Sequence, residues 1–243
     1  MLLVRELMTI CGRGLRLSAL ALWLGLVWAG TSSPAAAATH KAPAHKAKAK
    51  APAPPAPVEP SPEAAKVVDW ITTSGDNRDL PFIVIDKVAA EVFVYGADGQ
   101  LKSAGPALLG LATGDNSTPG VGDRELSDIA PEDRTTPAGR FLAGFGPSGD
   151  GKKVLWIDYA TAISMHPVIT SHPKEKRPQR LKSPTPDDNR ITFGCINVSA
   201  AFYKKVVVPT VGDGNAVVYI LPETMPLEQA FPALPTQIAA SDP

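Results

Sequence analysis

The stretch NRITFGCINV, Asn189 to Val198, places Cys195 between a glycine and an apolar run, and an earlier strand-like run, AISMHPV, carries His166. A cysteine and a histidine brought together by folding make a nucleophile–base pair. Only the thiolate attacks a carbonyl well, and at an ordinary thiol pKa roughly 3% of it is ionised at pH 7. An adjacent imidazole raises that fraction, and a strand holds the imidazole rigidly. Gly194 lets the backbone turn sharply and present N–H groups to an oxyanion. The same residues also suit a plainer role, because a cysteine beside a glycine in an apolar strand serves well as a small buried hydrophobe. His166, His172 and Cys195 follow no common zinc spacing, so neither a metal nor a cofactor is expected.

The chain that must position these residues has 243 of them and a formal net charge of zero. Its N-terminus carries Arg5, Arg13 and Arg16, then LSALALWLGLVWAG, then small residues with Ala36-Ala37-Ala38. This order reads as a secretory signal peptide over 1–38. The apolar run falls short of the roughly 20 residues that span a bilayer, which favours a cleaved leader over an uncleaved anchor. The expected location is therefore exported, periplasmic or associated with the cell envelope. Cleavage also removes Cys11, leaving Cys195 without a partner for an internal disulfide. In an oxidising compartment such a thiol calls for an explanation by reactivity or by intermolecular pairing.

Residues 39–62, THKAPAHKAKAKAPAPPAPVEPSP, are nearly all Ala, Pro and Lys and read as an extended linker. Lys41, Lys46, Lys48 and Lys50 could draw it to an anionic wall polymer or membrane surface. A short helical lead-in is expected over 63–80, with Ser61 as cap, Pro62 in the first turn, and Val67, Trp70 and Ile71 on one apolar face. Strands follow at Phe82 to Asp86, Glu91 to Tyr95 and on to Leu111, then a polar loop to Arg134 with one helical turn. Strands resume in GRFLAGF, KVLWIDYA and AISMHPV. A long charged connection, ITSHPKEKRPQRLKSPTPDDNR, leads to the cysteine segment. Ser199 caps a helix through Val206 with Phe202 and Val206 inward, and a last strand runs from Ala216 to Leu221. Residues 81–222 make the main domain, and 223–243 a Pro- and Ala-rich tail.

TTPAGRF, ISMHPV and TFGCINV in this order, preceded by strands beginning PFIVIDK, resemble the L,D-transpeptidase catalytic domain family across roughly Leu80 to Leu221. The family signature is a His, then, after a variable stretch, Ser or Thr, His, Gly, Cys, a hydrophobic residue, and Asn or Arg. Thr192, Gly194, Cys195, Ile196 and Asn197 occupy matching positions, and His166 the upstream His. The resemblance implies a mainly β, sandwich-like fold with short helices. It also implies acyl transfer on peptidoglycan stem tetrapeptides through a Cys195 thioester that releases D-Ala. Thr192 and Asn197 would stabilise the presenting segment, with Gly194 and Phe193 shaping the site. Phe193 stands where the family carries its second His, and His172 is a substitute from the loop. Pro167 follows His166 where a smaller residue is usual, and the connection between His166 and Cys195 is longer than usual.

The long loop gathers Lys174, Lys176, Arg177, Arg180, Lys182 and Arg190, in a chain with 17 basic against 22 acidic residues from Ser61 onward. Arg177, Arg180 and Arg190 are candidates to hold stem-peptide carboxylates over Cys195. Two other readings remain beside the transpeptidase: a non-catalytic envelope- or peptidoglycan-binding domain, for which Phe193 speaks, and an L,D-carboxypeptidase, if water resolves the thioester. GFGPSGDGKK lacks the Gly-Lys-Ser/Thr ending of a phosphate loop and reads as a hairpin turn. Near-neutral charge gives no support to nucleic-acid binding.

Overall fold

The computed structural model describes residues 58–235, so the leader, most of the linker and the end of the tail lie outside the described residues. The first element is helix α1, Pro62–Ser74. Ser61 accepts the Ala64 N–H at 3.1 Å, and Pro62 occupies a first-turn position where no N–H is needed. Gly75 ends the helix in the left-handed conformation, φ 70°, with its N–H on the Ile71 carbonyl. Ala64, Val67, Trp70 and Ile71 form the buried stripe. Among the described residues no helix is long and apolar enough to cross a membrane.

Nine strands follow: β1 Phe82–Asp86, β2 Glu91–Tyr95, β3 Leu101–Gly110, β4 Gly139–Pro147, β5 Lys153–Asp158, β6 Ile163–Pro167, β7 Arg190–Thr192, β8 Ile196–Val198 and β9 Asn215–Ile220. They pair in the order β2-β1-β9-β4-β5-β6-β8-β3-β7, and β2 also pairs with β3. The sheet therefore closes on itself like a barrel, with β7 attached at β3. The expectation of a mainly β fold with short helices matches this; separate sandwiched sheets are not what the pairing gives. Closure comes from β3, which pairs with β2 as far as Pro106 and with β8 at Ala107 and Leu108. Proline has no N–H to continue a ladder, so the change of partner falls at that residue.

Strands β1, β2 and β9 are apolar at nearly every position because both of their faces are covered. Ile83, Ile85, Val92, Val94, Val218 and Ile220 face the inner core. Phe82, Val84, Phe93, Tyr95, Val217 and Tyr219 face an outer core beneath α1. Phe231 and Leu234 belong to that outer core, and Trp70 meets Tyr219 edge-on at 5.9 Å. The lead-in helix and the first part of the tail are thus integral to the domain, and boundaries at 80 and 222 do not mark packing units.

Two local details differ from expectation. The loop after β3 carries three short 3₁₀ turns, Val121–Asp123, Leu126–Asp128 and Pro131–Asp133, where one turn was expected. The helix capped by Ser199 runs on through Tyr203–Val207 and Val208–Val211. Its middle is a wide π-type turn ahead of Pro209, which cannot donate to the helix ladder. That turn brings Tyr203, Val207 and Val211 inward at four-residue spacing, while Phe202 and Val206 only flank the core.

Candidate active site

Strands β6 and β8 run parallel in the register Met165↔Ile196, His166↔Asn197. Side chains alternate along a strand, so Met165 and Ile196 fill the inner core while Ser164, His166 and Asn197 share the other face. Continuing the register one step back brings Cys195 beside Ser164, whose Oγ is 3.6 Å from the Cys195 Sγ. The thiol also lies 3.6 Å from the Ala162 carbonyl. It is free and only partly covered.

The cysteine is presented by a turn between β7 and β8. Gly194 has φ +121°, and a Cβ there would come within 2.7 Å of the Thr135 carbonyl and of Ile163, so only glycine fits. Both ends of this glycine are tied. Its N–H donates to Thr192 Oγ1 at 3.1 Å, and its carbonyl accepts from Thr136 Oγ1 at 2.8 Å. Thr192 Oγ1 in turn donates to the Cys195 carbonyl at 2.7 Å. In a trans peptide C=O and N–H point in opposite directions, so pinning the Gly194 carbonyl aims the Cys195 N–H away from Thr136.

The tautomer of His166 follows from its neighbours. Arg177 has only donors, and its guanidinium donates to Asn197 Oδ1 at 2.9 Å, so Asn197 turns its amide toward His166 Nε2, 3.1 Å away. His166 Nδ1 faces the Pro167 carbonyl at 2.9 Å, which only accepts. Nδ1 therefore carries the proton and Nε2 is the basic position. Burial pushes the Cys195 thiol up, but the hydrogen bond and charge of His166, with the backbone and hydroxyl of Ser164, outweigh it and hold the thiol below its ordinary value. Burial likewise opposes an imidazolium at His166. The hydrogen bond and charge of Cys195 and the Pro167 carbonyl outweigh it and raise the ring above its ordinary value, with the Arg177 charge in opposition.

The loop arginines proposed to hold carboxylates each have partners within the protein. Arg177 is buried between Glu175, at 2.6 Å, and Asn197. Arg180 donates to the Glu175 and Asp188 carbonyls. Arg190 is paired with Glu223 and donates to the Lys87 carbonyl at 3.1 Å. Each is held because buried or half-buried charge needs partners, and the loop supplies them. His172 is exposed, with its Nδ1 against Ser171 Oγ, and touches neither Cys195 nor His166. Phe193 carries the Arg134 guanidinium 4.0 Å above its ring, a cation–π contact. Among the described residues no group of three or more His, Cys, Asp or Glu side chains is placed to hold a metal ion.

Sequence reasoning missed Ser164 and Thr136. Ser164 had a usable signal, standing two residues before His166 and thus on the same face of a strand. Thr136 lies within TTPAGRF, but its role there was hidden, since its contact with Gly194 spans 58 residues.

A partly covered cysteine and a histidine thus stand on neighbouring strands of a closed β sheet, with a serine at the thiol and a glycine-only turn behind it. No protein-family model and no curated protein matches the chain. Solved structures similar to it include the catalytic domain of an L,D-transpeptidase from Enterococcus faecium, 18% identical over 59% of this chain and 98% of that one, TM-score 0.35. A helical cell shape determining protein from Campylobacter jejuni is 16% identical over 68% of this chain and 58% of its own, TM-score 0.40. An L,D-transpeptidase from Mycobacterium smegmatis is 17% identical over 58% of each chain, TM-score 0.34. The match thus spans under two thirds of the length of the latter two. At such identities and scores, function has to be read from the residues of the site itself.

Proposed function

We propose that this chain is an exported cysteine acyltransferase acting on peptidoglycan stem tetrapeptides. The observation that carries the reading is the partly open thiol of Cys195, presented by the Gly194 turn against Ser164 with His166 on the neighbouring strand. The thiolate attacks the carbonyl between the third stem residue, a diamino acid, and the terminal D-Ala. The C–N bond breaks, His166 gives its proton to the departing amine, and an acyl-thioester remains. An incoming amine then attacks the thioester, loses its proton to His166 and restores the thiol. The Cys195 N–H, turned away from Thr136 by the pinned Gly194 carbonyl, is the backbone donor for the developing oxyanion, since the Gly194 N–H is held by Thr192 Oγ1. The leader and linker, which fit this reading, would carry the domain to a substrate outside the cytoplasm.

The test is the intact mass of the protein after incubation with a carbapenem, a β-lactam that acylates the family's thiol, beside Cys195→Ser. One adduct in the wild type and none in the variant is the expected result. Alkylation of Cys195 should already be fast at neutral pH and shift toward alkaline pH in His166→Ala. No adduct, together with slow, alkaline-dependent alkylation, would replace this reading by a non-catalytic binding domain.

A further inference from the structure

Thr136 is fully buried, and both of its oxygens are committed. Its carbonyl accepts the Lys87 ammonium at 2.9 Å. Its Oγ1 accepts the Gly110 N–H at 2.9 Å and stands 2.8 Å from the Gly194 carbonyl. A carbonyl only accepts, so the hydroxyl proton goes to Gly194. Turning that proton elsewhere would leave a buried carbonyl unpaired. The backbone is built for this approach. A Cβ on Gly110 would collide with the Arg134 carbonyl and come within 2.7 Å of the Thr136 nitrogen, so β3 ends on glycine where Thr136 packs against it. Pro137 follows and favours extended backbone at Thr136.

The donors therefore run in line, from the Gly110 N–H through the Thr136 hydroxyl to the Gly194 carbonyl, and end on the Gly194–Cys195 peptide. Thr192 holds the peptides before and after this one, through the Gly194 N–H and the Cys195 carbonyl. Thr136 holds the one between. At its far end is the Cys195 N–H. When the thiolate sulfur adds to a carbonyl carbon, the C=O π pair moves to the oxygen; it returns as the C–N bond breaks and His166 protonates the nitrogen. The N–H must meet the oxygen while it is negative. We infer that Thr136 is the positioning residue of this oxyanion donor: its hydroxyl fixes the plane of the Gly194–Cys195 peptide and, by drawing on the carbonyl, strengthens the N–H at the other end. This deepens the acyltransferase reading and rests on it. Hydrogen bonds in series polarise one another, so Thr136 acts on the oxyanion through the peptide.

The experiment uses the full-length protein and compares two rates on the peptide that carries Cys195: acylation by a carbapenem and alkylation by iodoacetamide. Both need the thiolate. Only acylation puts charge on a carbonyl oxygen, because alkylation displaces iodide at a saturated carbon. Losing a direct oxyanion donor costs about 10²–10³ in rate, so losing its positioning residue in Thr136→Val should lower the ratio of acylation to alkylation about ten-fold. Thr136→Ser, which keeps the hydroxyl, should restore the ratio. Should the valine variant not fold, Thr136→Ala is read by the same ratio. An unchanged ratio overturns the inference, whether both rates hold or both fall together, since a mere fastener of the turn moves acylation and alkylation alike. A ratio that falls in Thr136→Ser as far as in Thr136→Val also overturns it, because the hydroxyl is then not what matters. Alkylation of Cys195 without any carbapenem adduct in the wild type removes the acyltransferase reading itself, and this one with it.

Discussion

Two buried polar clusters stand on opposite sides of the Gly194 turn and are built on opposite rules. Behind the turn, Lys87 is fully buried, with its ammonium on the Gly114 carbonyl at 2.6 Å, Asp115 at 2.7 Å and the Thr136 carbonyl at 2.9 Å. Asp115 also accepts the backbone N–H groups of Glu223, Thr224 and Met225. Every proton has one acceptor and every acceptor is filled, so nothing there can change its protonation cheaply. In front of the turn, Cys195 and His166 stand on neighbouring strands, the thiol held below its ordinary pKa and the ring above, and the thiol remains partly open. The two clusters meet through Thr136, whose carbonyl takes Lys87 and whose hydroxyl takes Gly194. Saturation on one side makes the frame, and incomplete saturation on the other makes a site.

The sharpest way to break this contrast is Lys87→Met. Removing one partner of a buried ion cluster leaves Asp115 with an uncompensated charge and should cost about 3–5 kcal/mol. A urea denaturation midpoint measures it. Cys195→Ser should lose the acyl-enzyme entirely while moving stability by no more than about 1 kcal/mol, because the serine hydroxyl can replace the thiol against Ser164 and the Ala162 carbonyl. The Lys87 effect should also shrink in acid. Burial works to raise Asp115, but Lys87, Thr224 and the backbone N–H groups hold it well below the usual carboxylate range. Its stabilising contribution is present above its ordinary pKa and lost as pH falls. Equal destabilisation by the two substitutions would erase the distinction between frame and site.

Glu91 is a third case, a half-buried acid on the frame with one buried oxygen left unpaired. It stands directly across β1–β2 from Asp86, and its Oε2 has no hydrogen bond. Burial first, then the Asp86 charge, raises it to about 7. A carboxyl raised on folding contributes fully below its ordinary pKa of 4.5 and loses that contribution as pH rises through 7. Glu91→Gln should therefore change little at pH 4 and stabilise the protein at pH 8, by less than the full shift would give because solvent screens a half-buried carboxyl. Parallel stability curves for the two proteins between pH 4 and 8 would show that Glu91 is paired after all.

The strands of the frame were legible because burial on both faces writes itself as unbroken apolar runs, FIVI in β1 and VVYI in β9. The cap at Ser61 and the glycine before Cys195 were legible for a similar reason, since each answers a local backbone requirement. The charged residues of the loop were not. Whether Arg177 faces solvent or Asn197, twenty positions on, depends on where β8 docks, and no local pattern records that. Barrel closure was hidden in the same way, because the partners of β3 lie far along the chain. Residues fixed by backbone geometry can be read from sequence; residues fixed by long-range pairing need the fold.

Arg177 supplies the last and finest test of the contrast, because it brings the saturated style of the frame into the site. Its guanidinium fixes the Asn197 amide, and the amide keeps His166 Nε2 as an acceptor. In Arg177→Met, Asn197 is free to turn its Oδ1 toward the ring and accept from an Nε2–H, and the cation that opposes the imidazolium is gone. His166 should then hold its proton to higher pH, seen directly by NMR titration of the ring and as an upward shift of the alkaline limb of the acylation profile. The rate at neutral pH should fall about ten-fold, part of what a well-placed general base supplies. Stability should fall by about 1–2 kcal/mol, the usual cost of losing a buried hydrogen bond from a charged donor, whichever way the Asn197 amide then turns. A variant with that stability loss but an unmoved His166 titration would make Arg177 a fastener of the loop and nothing more. A moved titration makes it the residue through which the loop sets the basicity of the site.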